Sequence, residues 1–219
     1  MRIFLKNLSK SYGEPPRTVF CGLNMELLVG MNCLMGPSGV GKTTIANILA
    51  GLTLPDSGEV LMQPVDCVVS CVFQEERLLD YLSAMKNVLL VCSEGKKKAV
   101  KAGELLSEAG LEDSLHKKTG ELSGGMKRRV SLCRALIAKY DLLILDEPFK
   151  GLDDGIKPQI MQMVKNAAKE KIVLCITHDA DEARFLGGRL MLMPVYAPEK
   201  KTSSPPFYQA FLQSNGRGR

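Results

Sequence analysis

The apolar residues of this chain repeat with two different periods along its length. Residues 1–13 (MRIFLKNLSKSYG) and 17–30 (RTVFCGLNMELLVG) alternate between apolar and polar positions, which is typical of strands with one buried face. These two segments predict an antiparallel layer. Further strands are predicted in five short apolar runs, which are 31–35 (MNCLM), 58–62 (GEVLM), 65–73 (VDCVVSCVF), 171–177 (KIVLCIT) and 189–193 (RLMLM).

Helical periodicity separates many of these strands. It predicts helices at 43–52, at about 156–168 and at 179–186, and a largely helical stretch from 83 to about 138. Strands that alternate with helices favour an α/β fold with a largely parallel sheet, whose ligands bind at the carboxyl ends of the strands. We therefore expect one domain over 1–219, with a helical subdomain inserted at about 75–138 and a loosely held tail at about 200–219.

Composition narrows the classes of function. The net charge of +5 is distributed along the chain without an aromatic-rich basic stripe, so no nucleic-acid partner is expected. No signal peptide and no apolar run of about 20 residues is found, so a role at a membrane requires a partner subunit. The seven cysteines lie in apolar segments, as in a reduced cytosolic protein. Cys67 and Cys71 could form a metal pair, but their spacing within a strand places them on one face and favours packing.

A glycine-rich loop follows the predicted strand at 31–35 and opens the helix at 43–52. Its sequence, GPSGVGKT, comprises Gly36, Pro37, Ser38, Gly39, Val40, Gly41, Lys42 and Thr43. Such a loop directs successive backbone N–H groups at the β- and γ-phosphates of a nucleotide, and the lysine adds a positive charge. The Thr43 hydroxyl can ligate Mg²⁺, and Thr44 is expected to make a second phosphate contact.

Two adjacent acids end the buried strand in DLLILDEP. Neighbouring residues of an extended chain point in opposite directions, so Asp146 is expected to hold Mg²⁺ while Glu147 faces the γ-phosphate and orients the attacking water. By itself, an acid pair at a strand end carries no function. Together with the glycine loop, it indicates hydrolysis of a nucleotide.

A third feature is the start of the helix in ELSGGMKRRVSLCRAL, residues 121–136. Ser123 is placed to cap this helix, but its first turn contains Gly124 and Gly125, each of which costs about 1 kcal/mol against alanine in a helix. Close approach of a ligand to bare backbone N–H groups is the usual reason for such glycines. The helix start is therefore a second candidate anion site.

In this order, the motifs resemble those of ATP-binding cassette (ABC) ATPases over nearly the whole chain. LSGGM at 122–126 resembles the signature motif of the family, with Met126 where many members have Gln. The other motifs of the series place Gln74 (VFQEE) in the Q-loop, Asp153 (KGLDD) in the D-loop and His178 (ITHDADEA) in the switch.

The resemblance implies roles for these residues. Lys42, Gln74, Glu147 and His178 would be catalytic, Thr43, Gln74 and Asp146 would hold Mg²⁺, and Tyr12 would stack on adenine, although a tyrosine at a strand end is also common without any role. Two cassettes would pack head to tail, so that Ser123, Gly124 and Gly125 of one chain, with Asp153, complete the ATP site of the other. The second anion site would then serve a second chain.

The same resemblance implies an ATPase bound to transmembrane permease subunits on the inner face of the cell membrane, with a solute-binding protein in the full system. The segment 73–88 (FQEERLLDYLSAMKNV) is similar to that of bacterial nitrate, sulfonate and taurine importers, although Asp80 and Tyr81 stand where that group often has Pro and Trp. Import of thiamine precursors or other small molecules stays open. So does a signalling cassette that drives a membrane partner without transport. Soluble DNA-repair or translation members usually carry long coiled coils or tandem cassettes, which are not found here.

Overall fold

The computed structural model describes residues 1–92 and 96–196, which contain eight strands and six α-helices. In chain order these are β1 (Arg2–Tyr12), β2 (Arg17–Leu28), β3 (Gly30–Met35), α1 (Lys42–Leu49), β4 (Ser57–Gln63), β5 (Val69–Val72), α2 (Ala84–Leu89), α3 (Lys96–Glu108), α4 (Gly124–Ile137), β6 (Leu142–Asp146), α5 (Lys157–Ala167), β7 (Ile172–Ile176), α6 (Ala180–Leu186) and β8 (Arg189–Leu192). Short 3₁₀ turns at Glu112–Ser114 and Thr119–Glu121 lead into α4.

The predicted antiparallel layer is confirmed as a three-stranded sheet in the order β2-β1-β4. β1 pairs with β2 from Arg2↔Leu28 to Tyr12↔Arg17. Alternation along β1 buries Ile3 and Leu5 on one face, as its sequence predicts, and a register shift between Leu5 and Leu8 brings Leu8 into the same core. The sequence predicts a strand at 58–62 but not the sheet to which it belongs. In the structure it joins this layer as β4, antiparallel to β1.

The second sheet is parallel, with strand order β5-β6-β7-β3-β8, and confirms the predicted α/β fold. All residues of β6 and β7 are buried, which explains their nearly continuous apolar sequences. β7 lies between β3 and β6. The carboxyl ends of these three strands therefore meet at one edge of the sheet, where the glycine loop, the acid pair and His178 follow.

Apolar cores cover both faces of the parallel sheet. Within β6, Leu143 and Leu145 belong to a core shared with α2 to α5, while Leu142 and Ile144 belong to a core shared with α1 and the antiparallel sheet. Cys67 and Cys71 pack against the second of these cores. Burying both faces fixes the sheet, and with it the loops at its carboxyl edge.

The helices α2, α3 and α4 lie between β5 and β6 in the chain and contribute to the first core. Buried Asn87 of α2 joins them to the preceding segment, because its side chain bonds the backbone of Leu79 and Leu82 and the hydroxyl of Thr119. The subdomain limits of about 75–138 stay a prediction. The tail predicted at about 200–219 lies outside the described residues. Within the described ranges, no helix combines the length and apolar character that a membrane span needs.

Candidate nucleotide-binding site

The glycine loop connects β3 to α1 in a conformation that two of its glycines make accessible. Gly39 and Gly41 have φ angles of +77° and +102°, in the left-handed region that glycine enters at little cost. A Cβ at Gly41 would also lie only 2.4 Å from Cγ1 of Val19 on β2. The loop therefore ends in a tight turn against β2, and α1 begins directly after it with unpaired backbone N–H groups, as an anion site requires.

Lys42, at the start of α1, is only 8% exposed. Its ammonium group donates hydrogen bonds to the carbonyl oxygens of Gly36 and Pro37, at 2.8 and 2.9 Å. Burial lowers the pKa of Lys42, while the nearby charges of Glu147 and Asp146 raise it. A buried ammonium group held at the mouth of the loop by neutral carbonyls is well placed to bind phosphate oxygens.

Thr43 and Asp146 lie side by side at the carboxyl edge of the sheet. The hydroxyl of Thr43 donates a hydrogen bond to Oδ2 of Asp146 at 2.7 Å, and Asp146 is only 2% exposed. Burial raises the pKa of Asp146, and the hydrogen bond from Thr43 lowers it. Both residues line a cleft of about 470 Å³ together with Gln74. Hydroxyl, carboxylate and amide oxygens suit Mg²⁺, so these side chains fit the expected ion.

Glu147 departs from the extended geometry on which its prediction was based. Its φ angle is +51°, in the left-handed region, so the expectation of an extended backbone at this residue is wrong. Its N–H donates to the carbonyl of Ile176 at the end of β7, at 3.0 Å. This turn places the carboxylate 2.8 and 2.9 Å from Nδ1 of His178. The structure therefore joins two residues that the sequence placed in separate motifs.

His178 lies in a segment with a fixed backbone. Thr177 is fully buried, and its hydroxyl donates to the carboxylate of Glu182 on α6 and accepts a hydrogen bond from the N–H of Asp179. Asp179 in turn caps α6 through its side chain. These bonds fix the backbone on both sides of His178, while its own side chain remains 65% exposed beside Glu147.

An open cleft of about 840 Å³ adjoins the outer side of the glycine loop. Its lining includes Tyr12 together with Pro37, Ser38, Gly39 and Val40. Tyr12 is 46% exposed, so one part of its ring is free for stacking. Tyr196 also lines this cleft. Sequence reasoning missed Tyr196 because it follows the last strand and belongs to no recognisable motif.

The start of α4 lies apart from these clefts. Ser123 caps α4, its hydroxyl accepting a hydrogen bond from the N–H of Met126 at 3.3 Å, and it lines neither of the two clefts beside the glycine loop. The two glycines that follow differ. A Cβ at Gly125 would lie 2.9 Å from the carbonyl oxygen of Gly151, whereas one at Gly124 would meet nothing within 4 Å. Packing within the chain therefore accounts for Gly125, and Gly124 leaves the helix start open to approach.

The loop containing Asp153 lies beside this helix start, because Gly151 contacts Gly125. The backbone carbonyl of Asp153 accepts hydrogen bonds from the N–H groups of Ile156 and Lys157 at the start of α5, and Asp153 is exposed. Like Ser123, Asp153 lines neither cleft beside the glycine loop. The structure thus brings the glycine loop, Gln74, Asp146, Glu147 and His178 to one edge and leaves the LSGGM and KGLDD motifs together elsewhere.

A comparison with protein families identifies this arrangement. Residues 24–150 match the family model described as ABC transporter, and this range contains the glycine loop, Gln74, LSGGM and the acid pair. The chain belongs to the ABC transporter family. It is an ATP-binding cassette with the ATPase activity of that family.

Curated relatives cover most of the chain. The bicarbonate transport ATP-binding protein CmpD of Synechocystis sp. is 38% identical over 208 residues, which are 86% of this chain and 73% of the relative. The aliphatic sulfonates import ATP-binding protein SsuB 2 of Pseudomonas savastanoi pv. phaseolicola is 40% identical over 192 residues, which are 86% of this chain and 69% of the relative.

Solved structures agree with this assignment. The ATP-binding cassette MJ0796, in a dimeric post-hydrolysis state bound to ADP and Pi, superposes with a TM-score of 0.79 at 31% identity. The match covers 87% of this chain and 94% of that chain. The cassette fold predicted from the order of motifs is therefore confirmed.

Proposed function

We propose that the chain is the ATP-hydrolysing subunit of a bacterial importer of a small anionic solute such as a sulfonate, nitrate or bicarbonate, and that it acts as a head-to-tail dimer. One observation carries the catalytic part of this proposal, namely the convergence of Lys42, the Thr43–Asp146 pair and the Glu147–His178 pair at one sheet edge. The names of the CmpD and SsuB relatives support the importer part.

We propose a task for each group at this edge. The N–H groups at the start of α1 and the ammonium of Lys42 bind the phosphates and stabilise the charge that develops on the γ-phosphate. Glu147 accepts the proton of the attacking water, and His178 orients its carboxylate. Thr43, Gln74 and Asp146 would hold Mg²⁺, which neutralises charge on the β- and γ-phosphate oxygens when bound.

The second chain supplies the other wall of the ATP site. The side chain of Ser123 caps α4 at the N–H of Met126, and a Cβ at Gly124 would meet nothing within 4 Å. The helix start therefore leaves backbone N–H groups accessible to phosphate oxygens. Because Ser123 and Asp153 line neither cleft of their own glycine loop, we assign them to ATP held by the partner cassette.

A permease docking surface is proposed beside the Gln74 segment. Leu79 and Tyr81, which follow Gln74, are 37% and 70% exposed. Nearby, Leu52 and Val91 are exposed apolar residues that line a groove of about 330 Å³ together with Phe73. A surface of apolar side chains joined to a catalytic loop suits a cytoplasmic segment of the transmembrane subunit, since movement there can reach the ATP site.

Tyr81→Ala is expected to weaken assembly with the cognate permease by at least about tenfold while leaving ATP affinity unchanged, because a large exposed aromatic contact is lost. Leu79→Ala is expected to act in the same direction. Leu78 is a poorer test, since it packs partly against the first core. Pull-down with the detergent-solubilised permease measures the effect. Val65→Ala, which changes an 88% exposed apolar residue outside this surface, is the control. Unchanged assembly in both test variants would place the docking surface elsewhere.

The importer role predicts that solute stimulates ATP hydrolysis. In proteoliposomes containing the chain, its permease and the solute-binding protein, we expect turnover to rise severalfold with one of bicarbonate, nitrate or an aliphatic sulfonate and labelled solute to accumulate. Glu147→Gln proteoliposomes serve as the control. ATP turnover that responds to the membrane partner without any solute moving would favour the signalling cassette instead.

A further inference from the structure

The loop that carries Gln74 is fixed by one face of α4. We call residues 73–77 the Gln74 loop. Arg128 donates hydrogen bonds from Nη1 to the carbonyl of Phe73 at 2.6 Å and from Nη2 to the carbonyl of Gln74 at 2.7 Å. Further along α4, Ser131 and Arg134 donate to carbonyls at the other end of the loop, those of Glu76 and Arg77. Side chains three residues apart on one helix face therefore bind the loop along its length.

Arg128 is more deeply buried than Arg134, which is half-buried. It is 4% exposed, and a buried charge is costly unless hydrogen bonds satisfy it. Two short charge-assisted bonds to consecutive carbonyls provide this, and they match the planar fork of a guanidinium. The remaining nitrogen, Nε, is buried without a hydrogen-bond partner among the described residues, and the Glu76 carboxylate lies 3.9 Å from it. The side chain is thus committed to the loop backbone.

These contacts determine where the Gln74 side chain is presented. Gln74 is exposed and lines the 470 Å³ cleft together with Thr43 and Asp146, and the part of the residue that Arg128 binds is its backbone carbonyl. An exposed amide on a loop keeps its position only if the backbone beneath it is fixed. Arg128 fixes this backbone at two consecutive residues, through the carbonyls of Phe73 and Gln74.

We propose that Arg128 is a positioning residue: it holds the backbone of the Gln74 loop so that the Gln74 amide lies in the cleft of Thr43 and Asp146, where the three side chains would hold Mg²⁺. The inference rests on the proposed metal role of Gln74. It also gives α4 a second task, because the start of this helix is proposed to serve the partner's ATP site while Arg128, in its second turn, binds the Gln74 loop of its own chain.

The test measures nucleotide binding rather than turnover. The full-length chain is titrated with a fluorescent, non-hydrolysable ATP analogue, once with Mg²⁺ and once with chelator, and the ratio of the two affinities is the magnesium gain. We expect Arg128→Gln to reduce the magnesium gain about tenfold, since it removes charge-assisted bonds that fix a ligand. The affinity without metal is expected to stay within about twofold, because the glycine loop is untouched.

Arg134→Gln is the matched control. It removes the same type of side chain from the same helix face and the same loop, but at the carbonyls of Glu76 and Arg77. It is expected to retain the magnesium gain within about twofold. Arg128→Lys keeps the charge without the fork, and an intermediate loss is expected from it even if Arg128→Gln folds poorly. Thermal unfolding of each variant separates a loss of stability from the loss of magnesium gain.

A double-mutant cycle with Gln74→Ala identifies the route of the effect. Arg128 is also one of the charges that favour ionised Asp146, although burial, which raises the pKa of Asp146, acts more strongly. If Arg128 acts through Gln74, Arg128→Gln is expected to cause no further loss of magnesium gain in the Gln74→Ala chain. An equal loss with and without Gln74 would overturn the inference in favour of a direct effect on Asp146, and so would an unchanged gain in Arg128→Gln. If Gln74→Ala alone keeps the full magnesium gain, both the metal role of Gln74 and this inference fail. The ATPase function is tested separately, by ATP turnover of the wild-type chain.

Discussion

Replacing Glu147 by glutamine is expected to lower the rate of ATP hydrolysis by about 100-fold or more while ATP affinity stays within about threefold. The Glu147 carboxylate lies against His178 and next to Asp146, at the edge where the phosphates are proposed to bind, but the glycine loop and Lys42 hold the nucleotide. An amide keeps the size of the side chain and cannot accept the proton of the attacking water. The variant should therefore bind ATP and stop before hydrolysis.

A consequence of that arrest is an ATP-dependent dimer. Gel filtration of Glu147→Gln with ATP and Mg²⁺ is expected to show a dimer that persists, because the nucleotide joining the chains is not consumed. Glu170→Gln is the matched control, since Glu170 is exposed and lies before β7, at the opposite edge of the parallel sheet. Turnover in Glu147→Gln equal to that of the control would refute the role of Glu147 as general base.

The second large effect is expected at Ser123, which lines neither cleft beside the glycine loop of its own chain. Ser123→Arg should reduce hydrolysis by about 100-fold or more, because a long cation would occupy the open helix start where phosphate oxygens of the partner's ATP are proposed to bind. Binding of ATP by the single chain should be unchanged, since Ser123 lines neither cleft beside its own loop.

Ser107→Arg makes the same substitution at an exposed position of α3 and is expected to retain full activity. Ser123→Ala separates capping from phosphate binding. Losing the helix cap costs about 1 kcal/mol of stability, and the variant should lose less activity than Ser123→Arg because the backbone N–H groups remain free. Comparable turnover in Ser123→Arg and Ser107→Arg would show that this helix start does not contact ATP.

The sheet edge that carries the site could be predicted from the sequence because its parts are consecutive in the chain. β3, its glycine loop and α1 are consecutive in the chain, as are β6 and the acid pair, so apolar runs and glycine spacing sufficed to place them. The same holds for the alternation of β1 and β2, which are joined by a short turn.

Features that depend on contacts distant in sequence could not be predicted. The left-handed conformation of Glu147 is tied to a hydrogen bond with Ile176, 29 positions later, and an acid before proline in a strand-like run gives no sign of it. Gly125 looked like a ligand-binding glycine, but its packing partner is the carbonyl of Gly151, which no helical pattern reveals. Arg128 stands between two other basic residues, Lys127 and Arg129, and only the folded chain shows it buried against the Gln74 loop.

The claim that two chains build each ATP site is tested most directly by mixing two inactive variants. Lys42→Ala damages the half-site on the glycine loop, and Ser123→Arg damages the half-site on α4. In a head-to-tail dimer of one chain of each kind, one site carries both lesions and the other carries neither, so roughly a quarter of all sites in an equimolar mixture are intact. The measurement is vanadate-trapped nucleotide, alongside ATP turnover, in the mixture and in each variant alone, with chain exchange verified by fluorescent labels. If each site is shared between two chains, trapped nucleotide reappears in the mixture at about this fraction of the wild-type level. A mixture that exchanges chains and traps no more nucleotide than its two parents would contradict the shared site.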